Sequence, residues 1–186
     1  QWFMRVKEEL KRLRGRQMQQ DQALFVWHDQ GETSGVMIIH VDDFVYGGNE
    51  KFKSDVIGQF RKIFHIGSEQ ATCMRYIGVN VDQHPDGILL STDSYCAGLT
   101  EVDTTNIGRD NRRPLTDDEI TKLRQVSGQI NWAVTQSRPD CGFDNCVVQN
   151  SIKKATVADI MRANKAVRKV KSQPVSLYFP SVSYTH

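Results

Sequence analysis

The stretch IIHVDDFVYGG, residues 38–48, constrains the fold most, because it places two adjacent carboxylates between two apolar runs. β-Branched and aromatic residues on both sides are typical of strands. The pattern predicts a hairpin with strands at 36–41 and 44–47, and with Asp42 and Asp43 at its turn. A buried carboxylate is costly unless it has a partner or binds a metal. The aspartate pair is therefore either a plain turn or a cation site.

Both interpretations of the pair have physical support. Aspartate is a common turn residue, and charges are usual at loop tips. Neither aspartate is followed by glycine, however, which two-residue hairpin turns prefer. Two carboxylates on one turn repel each other and attract a hard cation such as Mg²⁺, which binds one or two carboxylates together with water and substrate phosphates. Spacing alone leaves both interpretations open.

The size and composition of the chain fit a soluble globular protein with one sizeable domain or two small ones, since it has 186 residues, 39% of them hydrophobic and 25% charged. No apolar run has transmembrane length. The four cysteines lack metal-ligand spacing, which favours reduced, buried thiols. Gln1 lies inside an amphipathic pattern, so we expect a fragment of a longer protein.

Positive charge is unevenly distributed, although the formal net charge is only +2. Residues 153–171 carry many cations and one acid, Asp159. The cations are Lys153, Lys154, Arg162, Lys165, Arg168, Lys169 and Lys171. Such a run is either a solvated helix face or a surface that follows nucleic-acid phosphates.

Local patterns predict an α+β organisation. The predicted helices include 1–14, a helix from Asn49 to Phe64 and a long helix that begins at a Thr116–Glu119 capping box and is broken at Pro139. A second hairpin is predicted from MRYIGVNVDQ and GILLST, joined by the turn HPDG. The polar stretch EVDTTNIGRDNRRP is predicted to be a linker or long loop before the long helix. Two further helices and a strand in VSLYF complete the chain, and the last helix is predicted to have an inner face of Ile160, Ala163, Val167 and Val170.

Several stretches, in order, resemble reverse transcriptases, in particular those of copia-type long-terminal-repeat retrotransposons. HVDDF is similar to the aspartate-pair motif of the family, usually Tyr, any residue, Asp, Asp. QWFMRVKEELKRL looks like the helix after the glutamine-containing motif, and DQALFVWHDQ looks like the strand before the catalytic hairpin. YIGVNVDQHPDGILLSTDSYCAGL is similar to the primer-grip hairpin and the element after it. VSGQINWAVTQSRPD resembles the helix that ends in Thr-Arg-Pro-Asp.

The resemblance implies a domain layout. Residues 1–92 would be the C-terminal part of a polymerase palm, made of antiparallel hairpins with packed helices, and would include the catalytic and primer-grip-like hairpins. Residues 93–171 would form a mostly helical region like a thumb or connection. Residues 172–186 would begin the link toward a ribonuclease H region.

The resemblance also assigns roles to residues. Asp42 would be the principal ligand of the catalytic Mg²⁺, for which Mn²⁺ can substitute, and Asp43 would support it. His40 takes the place of the usual Tyr near the primer end, and Val41 lies between it and the pair.

The primer grip maps to Tyr76, Ile77 and Gly78. Strand alternation would place Ile77 on one face, with Tyr76 and Gly78 on the other. Lys165, Arg168 and Lys169 are the nucleic-acid contacts expected from the basic helix.

The implied function is a fragment of an RNA-directed DNA polymerase that performs two-metal nucleotidyl transfer in the full-length protein. Expected partners are an RNA or DNA template with primer, deoxynucleoside triphosphates and the rest of the Pol polyprotein (fingers, ribonuclease H and integrase), but no membrane. The expected location is intracellular and cytoplasmic, with virus-like particles and the nucleus as further sites.

The family needs another catalytic Asp and the fingers, both expected upstream of Gln1, so we expect the isolated chain to be inactive. Two alternatives remain: a catalytically inactive nucleic-acid-binding remnant of a decayed retroelement, and a helical interaction module that kept only the fold.

Overall fold

The chain, as a computed structural model that describes residues 1–108 and 110–181, divides into two compact units. The first unit comprises residues 1–69, and the second begins at Gln70. Each unit contains a four-stranded antiparallel sheet together with helices. The predicted α+β class is confirmed. The division between the compact units falls after Glu69, whereas the sequence predicted a boundary near residue 92.

The first unit contains a sheet with the strand order β1-β2-β3-β4. Its strands are β1 (Arg16–Gln17), β2 (Leu24–Asp29), β3 (Glu32–His40) and β4 (Asp43–Gly48). All neighbours are antiparallel, and β3 and β4 form the hairpin predicted around the aspartate pair. Because β4 is an outer strand of this order, only one of its edges is paired within the described residues.

The helices of the first unit come before and after the strands of its sheet along the chain. They are α1 (Trp2–Arg12), α2 (Glu50–Phe52) and α3 (Gly58–Ile63), with a π-helical segment (Lys53–Ile57) that joins the last two into one run. Asn49 caps this run as predicted, because its side-chain oxygen accepts a hydrogen bond of 2.9 Å from the backbone N–H of Phe52. The π-helical segment was not predicted.

The apolar core of the first unit lies between these helices and one face of the sheet. Along β3 the side chains alternate, so Met37 and Ile39 point into the core, whereas Val36 and Ile38 lie on the opposite, more exposed face. The buried core residues are Val6, Leu10, Phe25, Trp27, Met37, Ile39, Phe52, Val56, Ile57, Phe60 and Phe64.

The second unit contains a sheet with the order β5-β6-β7-β8. Its strands are β5 (Cys73–Tyr76), β6 (Val79–His84), β7 (Gly87–Ser91) and β8 (Leu177–Pro180). β6 and β7 form the predicted hairpin around the HPDG turn. β8 confirms the strand predicted in VSLYF and pairs with β7, which joins the C-terminal part of the described chain to this hairpin.

Among the described residues of the second unit, more lie in helices than in strands. The helices are α4 (Asp93–Ala97), α5 (Asp117–Gln136), α6 (Gly142–Ser151) and α7 (Val157–Ser172), with short 3₁₀ turns at Pro139–Cys141 and Ile152–Lys154. The capping box of Thr116 and Glu119 begins α5 as predicted, and α5 ends before Pro139. The predicted inner face of α7 is confirmed: Ile160, Ala163, Val167 and Val170 are buried.

The polar stretch before α5, predicted to be a linker or long loop, is fixed to the helical core. Val102 and Ile107 within it are buried. The backbone N–H of Val102 donates to Oδ1 of Asn164 at 2.8 Å, and Nδ2 of Asn164 donates to the carbonyl of Val102, also at 2.8 Å. One side-chain amide thus satisfies both backbone groups of a buried loop residue.

The cysteine prediction is correct for two of the four residues. Cys96 and Cys141 are buried free thiols, whereas Cys73 and Cys146 are exposed. Cys73 opens the outer strand β5, and Cys146 lies on the solvent side of α6, so neither position requires burial. Burial raises the pKa of the Cys141 thiol to about 11. Across residues 1–108 and 110–181, no helix has both the length and the apolarity needed to cross a membrane.

Candidate functional site

The aspartate hairpin closes through a two-residue loop. His40 pairs with Asp43 across the hairpin, so the loop consists of Val41 and Asp42, and Asp43 is the first residue of β4. The prediction that both aspartates lie in the turn is therefore wrong by one residue. Two-residue loops that match the twist of paired strands need a positive φ at their first position.

Val41 occupies that first position with a φ of 55°. This left-handed conformation is an outlier for a β-branched residue, whose side chain crowds the backbone there. The side chain of Val41 is 70% exposed, so burial of its methyl groups does not compensate for the strain. Strain of this kind persists only where surrounding contacts determine the backbone, and it is concentrated at functional sites.

Both carboxylates of the pair are exposed to solvent. The premise that the pair lies inside an apolar hairpin is therefore wrong, because the apolar residues of β3 and β4 precede and follow the tip. Register places Asp43 opposite His40, and Ile39 opposite Phe44. Since Ile39 is buried and Phe44 packs on the core, alternation puts Asp43 and His40 on the sheet face that points away from the helices.

Trp2 contacts this turn from α1. Its indole Nε1 donates a hydrogen bond of 3.0 Å to the carbonyl oxygen of Val41, across 39 residues of sequence. Its ring also packs edge-on against Phe64, with centroids 5.3 Å apart. The sequence places Trp2 only within the predicted helix 1–14, and no local signal predicts a contact over this separation.

The donor set of the turn fits a hard cation in part. Within the described residues, no group of three or more His, Cys, Asp or Glu side chains is arranged to hold a metal ion. Asp42 and Asp43 together offer two carboxylates beside open solvent. Mg²⁺ and Mn²⁺ take oxygen ligands, and Mg²⁺ commonly binds one or two carboxylates, with water and phosphate oxygens as the remaining ligands. The pair therefore fits a site that other ligands complete.

The residues predicted as the primer grip form a second strained turn, in the second unit. Tyr76 pairs with Val79, so Ile77 and Gly78 make up a two-residue loop with φ values of 48° and 82°. The predicted strand alternation through these residues is therefore wrong. The sequence does not predict this turn, because Ile77 favours strands and only Gly78 of the two residues suits a positive φ. Ile77 is 49% exposed.

The Ile77–Gly78 loop packs against α5. A Cβ atom on Gly78 would lie 3.0 Å from the indole of Trp132, so a larger residue would be crowded as well as strained there. Trp132 in turn packs on Tyr95, with ring centroids 4.2 Å apart. Trp132 of α5 thus packs against the loop at Gly78, while the side chain of Ile77 faces solvent.

The three cations predicted to bind nucleic acid on α7 differ in their surroundings. Lys165 is exposed, and no ion pair to it exists within the described part of the chain. Arg168 forms an ion pair with Glu101. Lys169 donates to the carbonyl of Asp140 at 2.7 Å and lies 3.5 Å from its carboxylate. Of the three, only Lys165 has a charge without an ion-pair partner among residues 70–108 and 110–181.

Comparison with known proteins gives no match: no family model, curated protein or solved structure is significantly similar to this chain. The aspartate turn belongs to the first compact unit, whereas the Ile77–Gly78 loop and α7 belong to the second. A functional assignment therefore depends on the geometry of each site and on the sequence motifs.

Proposed function

We propose that the chain is part of an RNA-directed DNA polymerase of the copia retrotransposon type, in which the β3–β4 hairpin carries two metal-binding aspartates. The observation that carries the proposal is the strained turn at Val41, which presents Asp42 and Asp43 to solvent. A turn that served only to reverse the chain would be more stable with Gly, Asn or Asp at the position of Val41. The aspartate interpretation is supported by the motif and by this geometry together.

In this proposal the first unit is part of a polymerase palm. Asp42, at the tip, is the principal ligand, and Asp43, on the open sheet face, supports it. A bound divalent cation would neutralise charge on the phosphates of an incoming nucleotide and stabilise the reacting oxygens. The role of the chain's own residues is to bind and orient the reactants. A primer end can approach the open sheet face that holds Asp43 and His40 without displacing the core.

A complete polymerase site of this type needs a further carboxylate. The outer edge of β4 is unpaired within the described residues, so a further strand can pair there beside Asp43. We accordingly expect no templated primer extension by the 186-residue chain alone. Extension by this chain, with loss of activity on D42N, would show that the described residues suffice.

The second unit is proposed to contact the template–primer. Two features support this role: the exposed side chain of Ile77, and the cation of Lys165, which has no ion-pair partner among the described residues. Cations that neutralise phosphates release counterions, so binding of this kind weakens steeply with salt.

Titration of the ¹⁵N-labelled chain with Mn²⁺ tests the metal site. Paramagnetic broadening of amide signals should be strongest at 41–44 and should be reduced in D42N. The matched control is D86N, because Asp86 is an exposed aspartate in the two-residue loop of the β6–β7 hairpin, without a second carboxylate beside it in sequence. In metal-free buffer D42N should also be more stable than the parent chain, because it relieves the repulsion between Asp42 and Asp43.

Two outcomes of this titration decide whether Asp42 and Asp43 form a metal site. Stronger broadening at 41–44 than around Asp86, abolished by D42N, supports the metal site. Equal and weak broadening at both turns identifies Asp42 and Asp43 as solvated turn residues and contradicts the proposal.

A second candidate function is nucleic-acid binding without catalysis. It is supported by the exposed Lys165, to which no described residue forms an ion pair, and it does not depend on the aspartate turn. Salt-dependent binding of an RNA–DNA duplex, combined with no preferential Mn²⁺ broadening at 41–44, would favour it over the polymerase proposal.

A further inference from the structure

The peptide group that follows Val41 accepts a hydrogen bond from a side chain of α1. The indole N–H of Trp2 lies 3.0 Å from the Val41 carbonyl oxygen. A hydrogen bond to this oxygen sets the orientation of the peptide plane between Val41 and Asp42. It therefore restrains ψ of Val41 and φ of Asp42, the two dihedrals that direct the Asp42 carboxylate.

The other end of the turn is attached to the same helix through aromatic rings. Phe44 follows Asp43 and packs edge-on against Phe60, with centroids 5.0 Å apart. Phe60 packs on Phe64 at 4.8 Å, and Phe64 packs edge-on against Trp2 at 5.3 Å. These spacings and tilts are those of favourable aromatic pairs. The hydrogen bond to Val41 and the chain of rings to Phe44 together connect Trp2 to both ends of the aspartate turn.

Burial alone does not account for Trp2 at this position. Its side chain is 44% exposed, whereas that of Trp27 in the same unit is 4% exposed. A half-exposed ring contributes less to the core than a fully buried one. What distinguishes Trp2 is the direction of its N–H, which points at the one peptide group of the turn that follows a residue at positive φ.

We infer that Trp2 is a positioning residue for the aspartate pair: its indole N–H holds the strained Val41 backbone in the conformation that presents Asp42 and Asp43 for cation binding. The inference rests on the proposed function for its cation and on the geometry of the turn for its mechanism. Trp2 touches neither substrate nor metal in this assignment and acts through Val41.

The test replaces Trp2 in the full chain with 3-benzothienylalanine, which keeps the shape of the ring but has sulfur in place of the N–H. Two readouts are followed on the ¹⁵N-labelled protein: the three-bond amide–Hα coupling of Asp42, which depends on the φ angle that this hydrogen bond restrains, and the Mn²⁺ affinity from broadening at 41–44. We expect a changed coupling and an Mn²⁺ affinity weakened about fivefold, the factor that one net hydrogen bond is worth.

Trp27 supplies the matched control. Its indole Nε1 donates a comparable bond, 2.8 Å long, to the carbonyl of Leu13 in the same unit. The same replacement at Trp27 should leave both the Asp42 coupling and the Mn²⁺ affinity unchanged, although it removes an equivalent hydrogen bond. A merely structural role for the indole N–H would affect the two variants alike.

V41G provides a second, independent test. Glycine adopts positive φ without steric cost, so the turn no longer needs the restraint. In the V41G chain, the replacement at Trp2 should therefore lose most of its effect on Mn²⁺ affinity. A double-mutant cycle measures this interaction free energy between Trp2 and Val41 directly.

The outcomes separate this inference from the proposed function. An unchanged Asp42 coupling, or a changed coupling with undiminished Mn²⁺ affinity, overturns the positioning role even if D42N abolishes binding. If the unsubstituted chain shows no preferential broadening at 41–44, the proposed function fails, and with it the role of Trp2 toward a cation.

Discussion

The phenyl ring of Phe52 lies directly over the backbone of Gly35, so that a Cβ atom on Gly35 would be 2.2 Å from Cγ of the ring. Gly48, the cross-strand partner of Gly35, faces the same ring, and its Cβ would be 2.4 Å from Cδ1. Two glycines opposite each other thus let α2 approach the sheet closely. This contact fixes the base of the hairpin whose tip carries the aspartate pair.

Substitution of Gly35 by alanine should destabilise the first unit. The added methyl group would overlap a ring that is itself 2% exposed, so the strain cannot be relieved by rotation into solvent. Overpacking of this kind costs about 1–3 kcal/mol, and we expect G35A to lower the free energy of unfolding in urea by about 2–3 kcal/mol. The control is G47A, since a Cβ at Gly47 has no atom within 4 Å. Equal losses for the two variants would contradict the packing argument.

Features that depend on neighbouring residues could be predicted from the sequence. Asn49 as a cap, the box of Thr116 and Glu119, and the break at Pro139 all follow from backbone donors within one helical turn. The inward face of α7 follows from the 3.6-residue period of its apolar residues. The existence of the hairpin at the aspartate pair belongs to the same class.

Features that depend on strain or on distant contacts could not be predicted. Propensity assigns strand conformation to Val41 and Ile77, and tertiary structure places both at positive φ in two-residue loops. The division after Glu69 depends on the pairing of β7 with β8, which brings together residues nearly 90 positions apart. The bond from Trp2 to Val41 likewise has no local signature.

The loop before α5 should depend on Asn164. In N164A, the buried backbone N–H and carbonyl of Val102 both lose their partner, and each unsatisfied group costs about 1–3 kcal/mol. We expect a loss of about 3 kcal/mol in the free energy of unfolding, measured in urea. N150A is the control, because Asn150 is exposed on α6 and should change stability by less than about 0.5 kcal/mol. A similar loss of stability in both variants would contradict a specific stabilising role for the hydrogen bonds between Asn164 and Val102.

The pair of Arg138 and Asp140 should make the stability of the second unit sensitive to acid. Hydrogen bonds from the guanidinium of Arg138 lower the pKa of the Asp140 carboxyl from its ordinary 3.8 to about 2. The unfolded chain therefore takes up a proton at this group before the folded chain does. The stabilisation is complete above about pH 4 and is lost as the pH falls toward 2.

D140N should remove this acid-dependent part and should also destabilise the protein near neutral pH. The side chain of Arg138 is 0% exposed, so the variant leaves a buried cation without its carboxylate, which costs about 3–5 kcal/mol. Urea unfolding between neutral pH and about pH 3 measures both effects. D118N is the control, because Asp118 forms an exposed pair with Lys122 and should behave like the parent chain. Parallel acid profiles for D140N and the parent chain would refute the assignment.

Of the three α7 cations predicted to contact nucleic acid, Lys165 should contribute most specifically to binding. Its charge is uncommitted within the described residues, whereas Arg168 is paired with Glu101 and Lys169 is held by Asp140. In a plot of log affinity against log salt for an RNA–DNA duplex, K165Q should reduce the slope by about 0.9, the value for one phosphate contact on duplex DNA. K122Q, which removes a cation from α5 that is paired with an acid, should leave the slope unchanged. An unaltered slope for K165Q would exclude a phosphate contact at this position, whatever the affinity of the chain.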